Sequence, residues 1–242
     1  MRCARAVVSL LVTVAVVAAS TLPTQAYQEV AVPDGGTIEG QVVFRDASPP
    51  MKKIIPTRNP EVCGGIREEP QIVLAPDNGV RDAVVYLQAI ETGKAWEKRA
   101  QPAMLENVQC TFAPYVQVLP KGSVLELVNT DPVLHTVHGF LDKHSVFNHG
   151  LPAQGQRVKR HLEKPGLIRV DCDSHGWMRA WVYVADNPYY AITVNDGTFT
   201  ITDVPPGDYT LVAWQEYTGV VEIPVTIRAK NMVHVTVELK KK

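Results

Sequence analysis

The sequence shows no excess of either charge and none of the common hydrolase motifs. Its 24 basic and 25 acidic residues are balanced, so its composition does not indicate nucleic acid as a partner. No Gly-x-Ser-x-Gly or Walker sequence occurs, and the carboxylates are not paired in a recognisable cleft motif. Hydrolysis is therefore unsupported, and we expect a protein that is not an enzyme.

Long apolar segments are missing after the first 26 residues. The single long run covers residues 6–19, follows Arg2 and Arg5, and is succeeded by small residues that end at Ala26. This order is typical of a secretory signal peptide over residues 1–26, cleaved near Ala26. A membrane anchor is the alternative, but the run is shorter than the roughly 20 residues that a bilayer needs. We expect a secreted or periplasmic mature chain without a membrane span.

Helical apolar periodicity is also missing over any long stretch. Eighteen prolines and sixteen glycines divide the chain into short runs rich in β-branched residues. Several of these runs, such as residues 36–44 and 198–202, alternate apolar and polar side chains as half-buried strands do. The sequence therefore predicts an all-β protein.

Cysteine is scarce, and one of the few cysteines lies in a motif with metal-ligand spacing. Cys172, His175 and Met178 recur every third residue between predicted strands over 167–171 and 179–185. A tight loop through Gly176 would let the three side chains converge, and sulfur with imidazole selects copper over magnesium or calcium. The alternative is structural: Cys172 would be a small buried residue, His175 a satisfied polar group and Met178 part of the core.

A second histidine, His135, lies at the end of another predicted strand. A blue-copper site needs two histidines and one cysteine near a plane, with a weak axial methionine. His135, Cys172, His175 and Met178 would provide that set from two separate loops.

These segments resemble a cupredoxin over residues 101–185. The resemblance is carried by Phe112-Ala113-Pro114, by Lys121-Gly122-Ser123 at the start of a strand, by residues 129–138 and by residues 172–178. It implies one type 1 copper ion, a ligand loop like that of amicyanin, and His138 as a neighbour on the strand. Thr136 stands where the family has an asparagine that ties the two ligand loops together, and its hydroxyl could do similar work. The residue after the second histidine, often proline in the family, is Gly176.

The remaining cysteines allow two interpretations. Removal of residues 1–26 takes Cys3 and leaves Cys63, Cys110 and Cys172. If copper holds Cys172 as a thiolate, Cys63 and Cys110 remain to form one disulfide in an oxidising compartment. In the alternative, Cys110 is a buried strand residue and Cys63 an exposed loop thiol.

The segments on either side of residues 101–185 share a different pattern. Turn signals and alternating strands around Asp196-Gly197 and Pro205-Pro206-Gly207 are similar to a carboxypeptidase regulatory-like, prealbumin-type β-sandwich. We therefore predict that the cupredoxin domain, 101–185, is inserted between the two parts of that sandwich, 27–100 and 186–242. Two domains in tandem are the alternative. Residues 48–70 are interpreted as an irregular surface loop that Cys63 holds in place.

These expectations together indicate an exported blue copper protein that carries single electrons between Cu(II) and Cu(I) and meets a redox partner protein. Two alternatives remain: a protein for copper capture or delivery, and a cell-surface or carbohydrate-associated module with an idle site. Trp177 is interpreted either as part of an apolar docking patch or as core packing. We expect His144, His149 and His161 to be solvated loop residues. The chain has no His-x-His pair that would indicate a multicopper site.

Overall fold

The computed structural model describes residues 27–241, and the predicted signal peptide over 1–26 lies outside the described residues. The described range is almost entirely β structure, which confirms the predicted class. No helix in this range has the length and apolar character needed to cross a membrane.

The strands fall into three consecutive groups along the chain. Before residue 100 lie β1 (Gln28–Glu29), β2 (Gly36–Phe44), β3 (Lys52–Ile54), α1 (Pro60–Cys63), β4 (Arg67–Glu69), β5 (Val84–Leu87) and β6 (Thr92–Gly93). The middle group is β7 (Ala103–Val108), β8 (Thr111–Ala113), β9 (Val116–Pro120), β10 (Val124–Asn129), β11 (His135–Leu141), β12 (His144–Leu151), β13 (Arg157–His161), β14 (Gly166–Cys172) and β15 (Arg179–Ala185). The last group is β16 (Tyr190–Ile192), β17 (Thr198–Val204), β18 (Gly207–Gln215), β19 (Gly219–Ile227) and β20 (Met232–Leu239).

The middle group forms two sheets, which we call the inner sandwich. Their strand orders are β13-β10-β7-β8 and β12-β11-β14-β15-β9, with parallel pairs at β7/β10 and β9/β15. Side chains alternate across each strand, so one face of each sheet is apolar. These faces meet in one buried cluster that includes Leu105, Leu127, Val170 and Val182.

Strands from before and after the inner sandwich combine in two further sheets, which we call the outer sandwich. The orders are β16-β5-β18-β19 and β17-β2-β20. β2 and β5 precede residue 100, whereas their partners follow residue 189. A second apolar cluster, with Ile38, Phe44, Leu211 and Val237 among its members, fills the space between these sheets.

A small apolar interface joins the two sandwiches. Val84 and Trp214 of the outer sandwich pack with Val118 and Tyr183 of the inner one. Aromatic pairs reinforce the contact, because Tyr183 stacks on Tyr86 of β5, with ring centroids 4.5 Å apart.

The segment 48–70 is more ordered than the sequence suggested. β3 and β4 pair as an antiparallel ladder in which Lys52 lies opposite Glu69, and α1 begins with Pro60, whose missing N–H costs nothing at a helix start. The interpretation as an irregular loop is therefore wrong. The elements are only three or four residues long, which is too short to show a periodic pattern in the sequence. Cys63 at the end of α1 forms a disulfide with Cys110, 47 residues away, with a Cα–Cα distance of 5.0 Å.

Candidate metal centre

Two adjacent strands bring the first histidine and the cysteine together. β11 begins at His135 and β14 ends at Cys172, and the two strands pair antiparallel with Val137 opposite Cys172. Side chains two residues apart share a face of a strand, so His135 lies on the same buried face as Val137 and Cys172. The register of this one strand pair therefore places an imidazole and a thiol at the same end of the inner sandwich.

The loop after β14 adds the second histidine by making two successive turns. The amide N–H of His175 donates to the carbonyl of Cys172, and that of Met178 donates to the carbonyl of His175. Each turn advances three residues, so the side chains of Cys172, His175 and Met178 point to the same side, and all three are buried.

Three donor atoms form a compact triangle at this end of the sandwich. The Nδ1 atoms of His135 and His175 are 3.1 Å apart, and the Sγ of Cys172 lies 3.8 Å from the former and 3.7 Å from the latter. The centre of this triangle is about 2.1 Å from each donor, which is the length of bonds from first-row metal ions to imidazole nitrogen and slightly less than those to thiolate sulfur. Two nitrogens and a sulfur at these separations could hold a metal ion, and this donor set suits copper.

The outer nitrogen of each imidazole is also hydrogen-bonded. His135 Nε2 donates to the carboxylate of Asp131 at 2.9 Å, and His175 Nε2 donates to the side-chain oxygen of Asn59 at 3.2 Å. An imidazole that donates through Nε2 has its lone pair on Nδ1 when it is neutral. Both lone pairs are therefore directed to the shared centre, which is the arrangement that outer partners impose on metal-binding histidines.

Asp131 is itself held by the backbone of a neighbouring turn. Its two carboxylate oxygens accept the N–H groups of Gln109 and Cys110 at 2.7 and 2.9 Å. These bonds compensate a carboxylate that is almost fully buried. The sequence interpretation did not assign this residue a role, although its position four residues before His135 in the same loop is a usable signal.

Asn129 shapes the loop that leads into His135. Its side-chain amide donates to the carbonyls of Val133 and Leu151, both at 2.8 Å, and its oxygen accepts the N–H of Asp131. The amide is fully buried and forms all these hydrogen bonds with backbone groups, so it stabilises one conformation of the loop.

Thr136 connects the two ligand loops. Its amide N–H donates to Cys172 Sγ at 3.4 Å, its hydroxyl lies 2.9 Å from that of Ser174, and its carbonyl accepts the N–H of Asp173. The threonine thus makes the cross-loop contacts suggested for its hydroxyl in place of an asparagine, and the N–H···S bond favours the thiolate.

Burial changes the proton affinity of all three donors. It raises the pKa of the Cys172 thiol, and it lowers the pKa of His135, although Asp131 opposes the latter shift. For His175, burial, then the neighbouring His135 and Arg58, lower the pKa to about 4. Near neutral pH the metal-free centre therefore has neutral imidazoles and a protonated thiol, so metal binding releases the thiol proton.

The other predicted residues lie around this triangle. Met178 is buried in the same apolar cluster as Cys172, and its role as an axial ligand remains a prediction. His138 is on the opposite face of β11, where it contacts Asp173 and Ser145 instead of the donors. Trp177 is half-buried, packs against the inner core and donates its indole N–H to the carbonyl of Cys110.

A cleft of about 520 Å³ opens beside the centre, between the two sandwiches. Trp177 and Met178 line it from the ligand loop, while Trp181 and Trp214 line it from the two sandwiches. The rings of Trp181 and Trp214 are in edge contact, with centroids 4.8 Å apart.

Comparisons with known proteins match different parts of the chain. The family model described as polysaccharide lyase family 4, domain II, matches residues 165–235, which include β14 and β15 of the inner sandwich as well as strands of the outer one. It is a different family from the carboxypeptidase regulatory-like one proposed from the sequence. No curated protein matches the chain.

Several solved structures are similar to about a third of the chain. A Cu-containing nitrite reductase from Thermus scotoductus is 25% identical over 38% of this chain and 24% of its own, with a TM-score of 0.32. A purple cupredoxin from Nitrosopumilus maritimus is 21% identical over 34% of this chain and 99% of its own, with a TM-score of 0.31. Amicyanin from Paracoccus versutus is 15% identical over 37% of this chain and 86% of its own, with a TM-score of 0.33. The chain thus spans about a quarter of the reductase, and its structural neighbours include cupredoxins.

Proposed function

We propose that this protein is an exported type 1 copper protein that carries single electrons. The observation that supports this function is the triangle formed by the Nδ1 atoms of His135 and His175 and the Sγ of Cys172. Two imidazoles and one thiolate near a plane are the donor set of such sites. The Nε2 hydrogen bonds orient the rings for this purpose before any metal arrives.

Each residue of the centre has a defined task in this proposal. Copper, when bound, would supply one-electron chemistry by passing between Cu(II) and Cu(I). His135, His175 and Cys172 would hold it, with Met178 as a weak fourth ligand. Thr136 holds the two loops in register, and the surrounding apolar cluster excludes water. Little rearrangement of these packed residues between the two oxidation states favours fast electron transfer.

Burial of the donors favours an electron carrier over an enzyme. All three donor residues are at most 2% exposed, and Asn59 covers the outer edge of His175. A copper enzyme needs an open coordination position that a substrate can reach. We therefore propose that the protein exchanges electrons with a redox partner protein. The disulfide supports an oxidising compartment such as the periplasm.

The proposal extends to the domain organisation. We propose that residues 101–185 are a cupredoxin domain inserted into a carboxypeptidase regulatory-like sandwich formed by 27–100 and 186–242. The pairing of β2 with β17 and β20, and of β5 with β16 and β18, supports this division. The ends of the insert leave one sandwich and return to it, as insertion into a loop requires.

A visible spectrum of the copper-loaded protein tests the function. We expect a strong charge-transfer band from the Cu(II)–thiolate bond and a reversible one-electron wave in voltammetry. Cys172→Ser should remove the band while its circular dichroism remains that of the wild type. A band that persists in this variant would refute Cys172 as the thiolate, and a wild-type protein that takes up copper without a band would refute a type 1 site.

A further inference from the structure

A short segment outside both sandwiches covers the outer edge of one ligand. Residues 58–63, which we call the cap, come from the chain before the inner sandwich and lie against its ligand loop. Asn59 accepts the Nε2–H of His175, and the guanidinium of Arg58 donates to the carbonyl of Ser174 at 3.4 Å. Val62 and Cys63 pack against the inner core. His175 is only 1% exposed as a result.

The side chain of Asn59 bonds to His175 instead of capping its own helix. Asn59 is the N-cap residue of α1, but its side chain makes no capping hydrogen bond. An asparagine at this position normally turns its side-chain oxygen to the first amides of the helix. Here the amide nitrogen donates to Glu61, which leaves the oxygen directed to His175. The backbone is in the left-handed region, with φ of 49°, a conformation that asparagine tolerates better than most residues.

The disulfide fastens the cap at the metal centre. It joins Cys63, at the end of α1, to Cys110, whose amide N–H donates to Asp131. The sulfurs of both cysteines lie within 4.8 Å of a ring nitrogen of His175. One covalent bond therefore links the segment that holds His175 to the turn that holds the hydrogen-bond partner of His135.

We propose that the cap is a built part of the copper site, in which Asn59 is the positioning residue of His175. Asn59 fixes the Nε2–H tautomer and the ring orientation, and the cap closes this imidazole edge to solvent and to partner proteins. This inference rests on the proposed function and adds a residue that lies 76 positions before the nearest ligand in the sequence.

Two substitutions at residue 59 separate the hydrogen bond from the backbone. Asn59→Gly removes the acceptor oxygen and suits the left-handed conformation, so the fold of the cap should survive. Asn59→Asp keeps an oxygen at the same position and serves as the conservative rescue. Asn148→Ala is the matched control, because it removes an asparagine–histidine hydrogen bond at His138, which is not a donor of the triangle.

The first measurement uses the metal-free full chain. Diethyl pyrocarbonate modifies accessible neutral imidazoles, and peptide mass analysis reports the rate at each histidine. His175 should react slowly in the wild type, in Asn59→Asp and in Asn148→Ala. It should react at least about tenfold faster in Asn59→Gly, since removal of the covering side chain exposes the ring edge.

The second measurement is copper affinity by competition with a chelator. Loss of an outer partner typically weakens metal binding about 10- to 100-fold, and we expect this loss in Asn59→Gly with near wild-type affinity in Asn59→Asp and Asn148→Ala. If His175 in Asn59→Gly has the reactivity and the copper affinity of the wild type, the proposed role of the cap is refuted. A blue band in the wild type would still support the copper function. Equal losses in Asn59→Gly and Asn59→Asp would overturn the acceptor role. Failure of the wild type to bind copper would refute the function itself, and the metal-free reactivity of His175 would still decide whether the cap closes its edge.

Discussion

The two sandwiches share an architecture but differ in what they bury. The inner sandwich encloses two imidazoles, a carboxylate and two asparagine amides at one end, whereas the outer core between 27 and 100 and after 186 encloses no imidazole or carboxylate within the described residues. Burying such groups costs free energy unless each is hydrogen-bonded. The inner sandwich bonds its charged and imidazole groups in a network around Asp131 and Asn129. The outer one buries only neutral polar groups within the described residues, such as Asn187 and Thr193, which bond to backbone. The comparison indicates that one sandwich is organised for a site and the other for stability.

The largest expected effect tests the site within the inner sandwich. His135→Ala should abolish the blue band, because it removes one of three strong donors. His138→Ala should leave the band unchanged, because His138 lies on the opposite face of the same strand and contacts Ser145 instead of the donors. Absorption spectra of the two copper-loaded variants make the measurement. The opposite result would mean that the register of β11 is displaced and that the other histidine is the ligand.

A core truncation tests the outer sandwich as the stabilising part. Leu211 is fully buried in the outer core, so Leu211→Ala should lower the free energy of unfolding by about 2–5 kcal/mol. The variant should have the copper spectrum of the wild type, since Leu211 belongs to the outer cluster and Cys172 to the inner one. Denaturant unfolding followed by circular dichroism measures the stability. A changed band would show that the outer core also shapes the metal centre.

Removal of the disulfide tests a link from outside the inner sandwich to its site. Cys63 and Cys110 are 47 residues apart, so the disulfide restricts the unfolded chain. Replacing both by serine should lower the free energy of unfolding by about 3–4 kcal/mol in the chain-entropy model. The loss should appear in unfolding of the non-reduced protein. Reduced wild type is the control and should match the double variant. Two free thiols in peptides from the exported wild-type protein would contradict the disulfide.

The smallest expected change concerns Met178. Met178→Leu nearly conserves volume, so the free energy of unfolding should change by less than about 1.5 kcal/mol. If Met178 is the weak axial ligand, the blue band should persist and the reduction potential should rise, because loss of a donor disfavours Cu(II) relative to Cu(I). Voltammetry of both proteins makes the comparison. An unchanged potential would leave Met178 as a core residue.

Local pattern was sufficient for much of the fold. The sequence predicted the strands over residues 36–44 and 179–185, and the structure has β2 and β15 with those bounds, because runs of apolar and β-branched residues between turn signals are local features. The same reasoning missed α1 and the β3–β4 ladder. These elements are only three or four residues long, and α1 depends on the disulfide and on packing against the inner sandwich.

The sequence by itself determined the all-β class and the spacing that turns Cys172, His175 and Met178 to one side of a loop, because both depend on neighbours within a few residues. Only the tertiary structure decided the rest of the centre. The register of β11 against β14 set the distance from His135 to Cys172, and a chain segment 116 residues before His175 supplied Asn59 to its outer nitrogen. The Asn59–His175 hydrogen bond leaves no signal in the sequence, because it depends on where two separate loops meet once the core has packed.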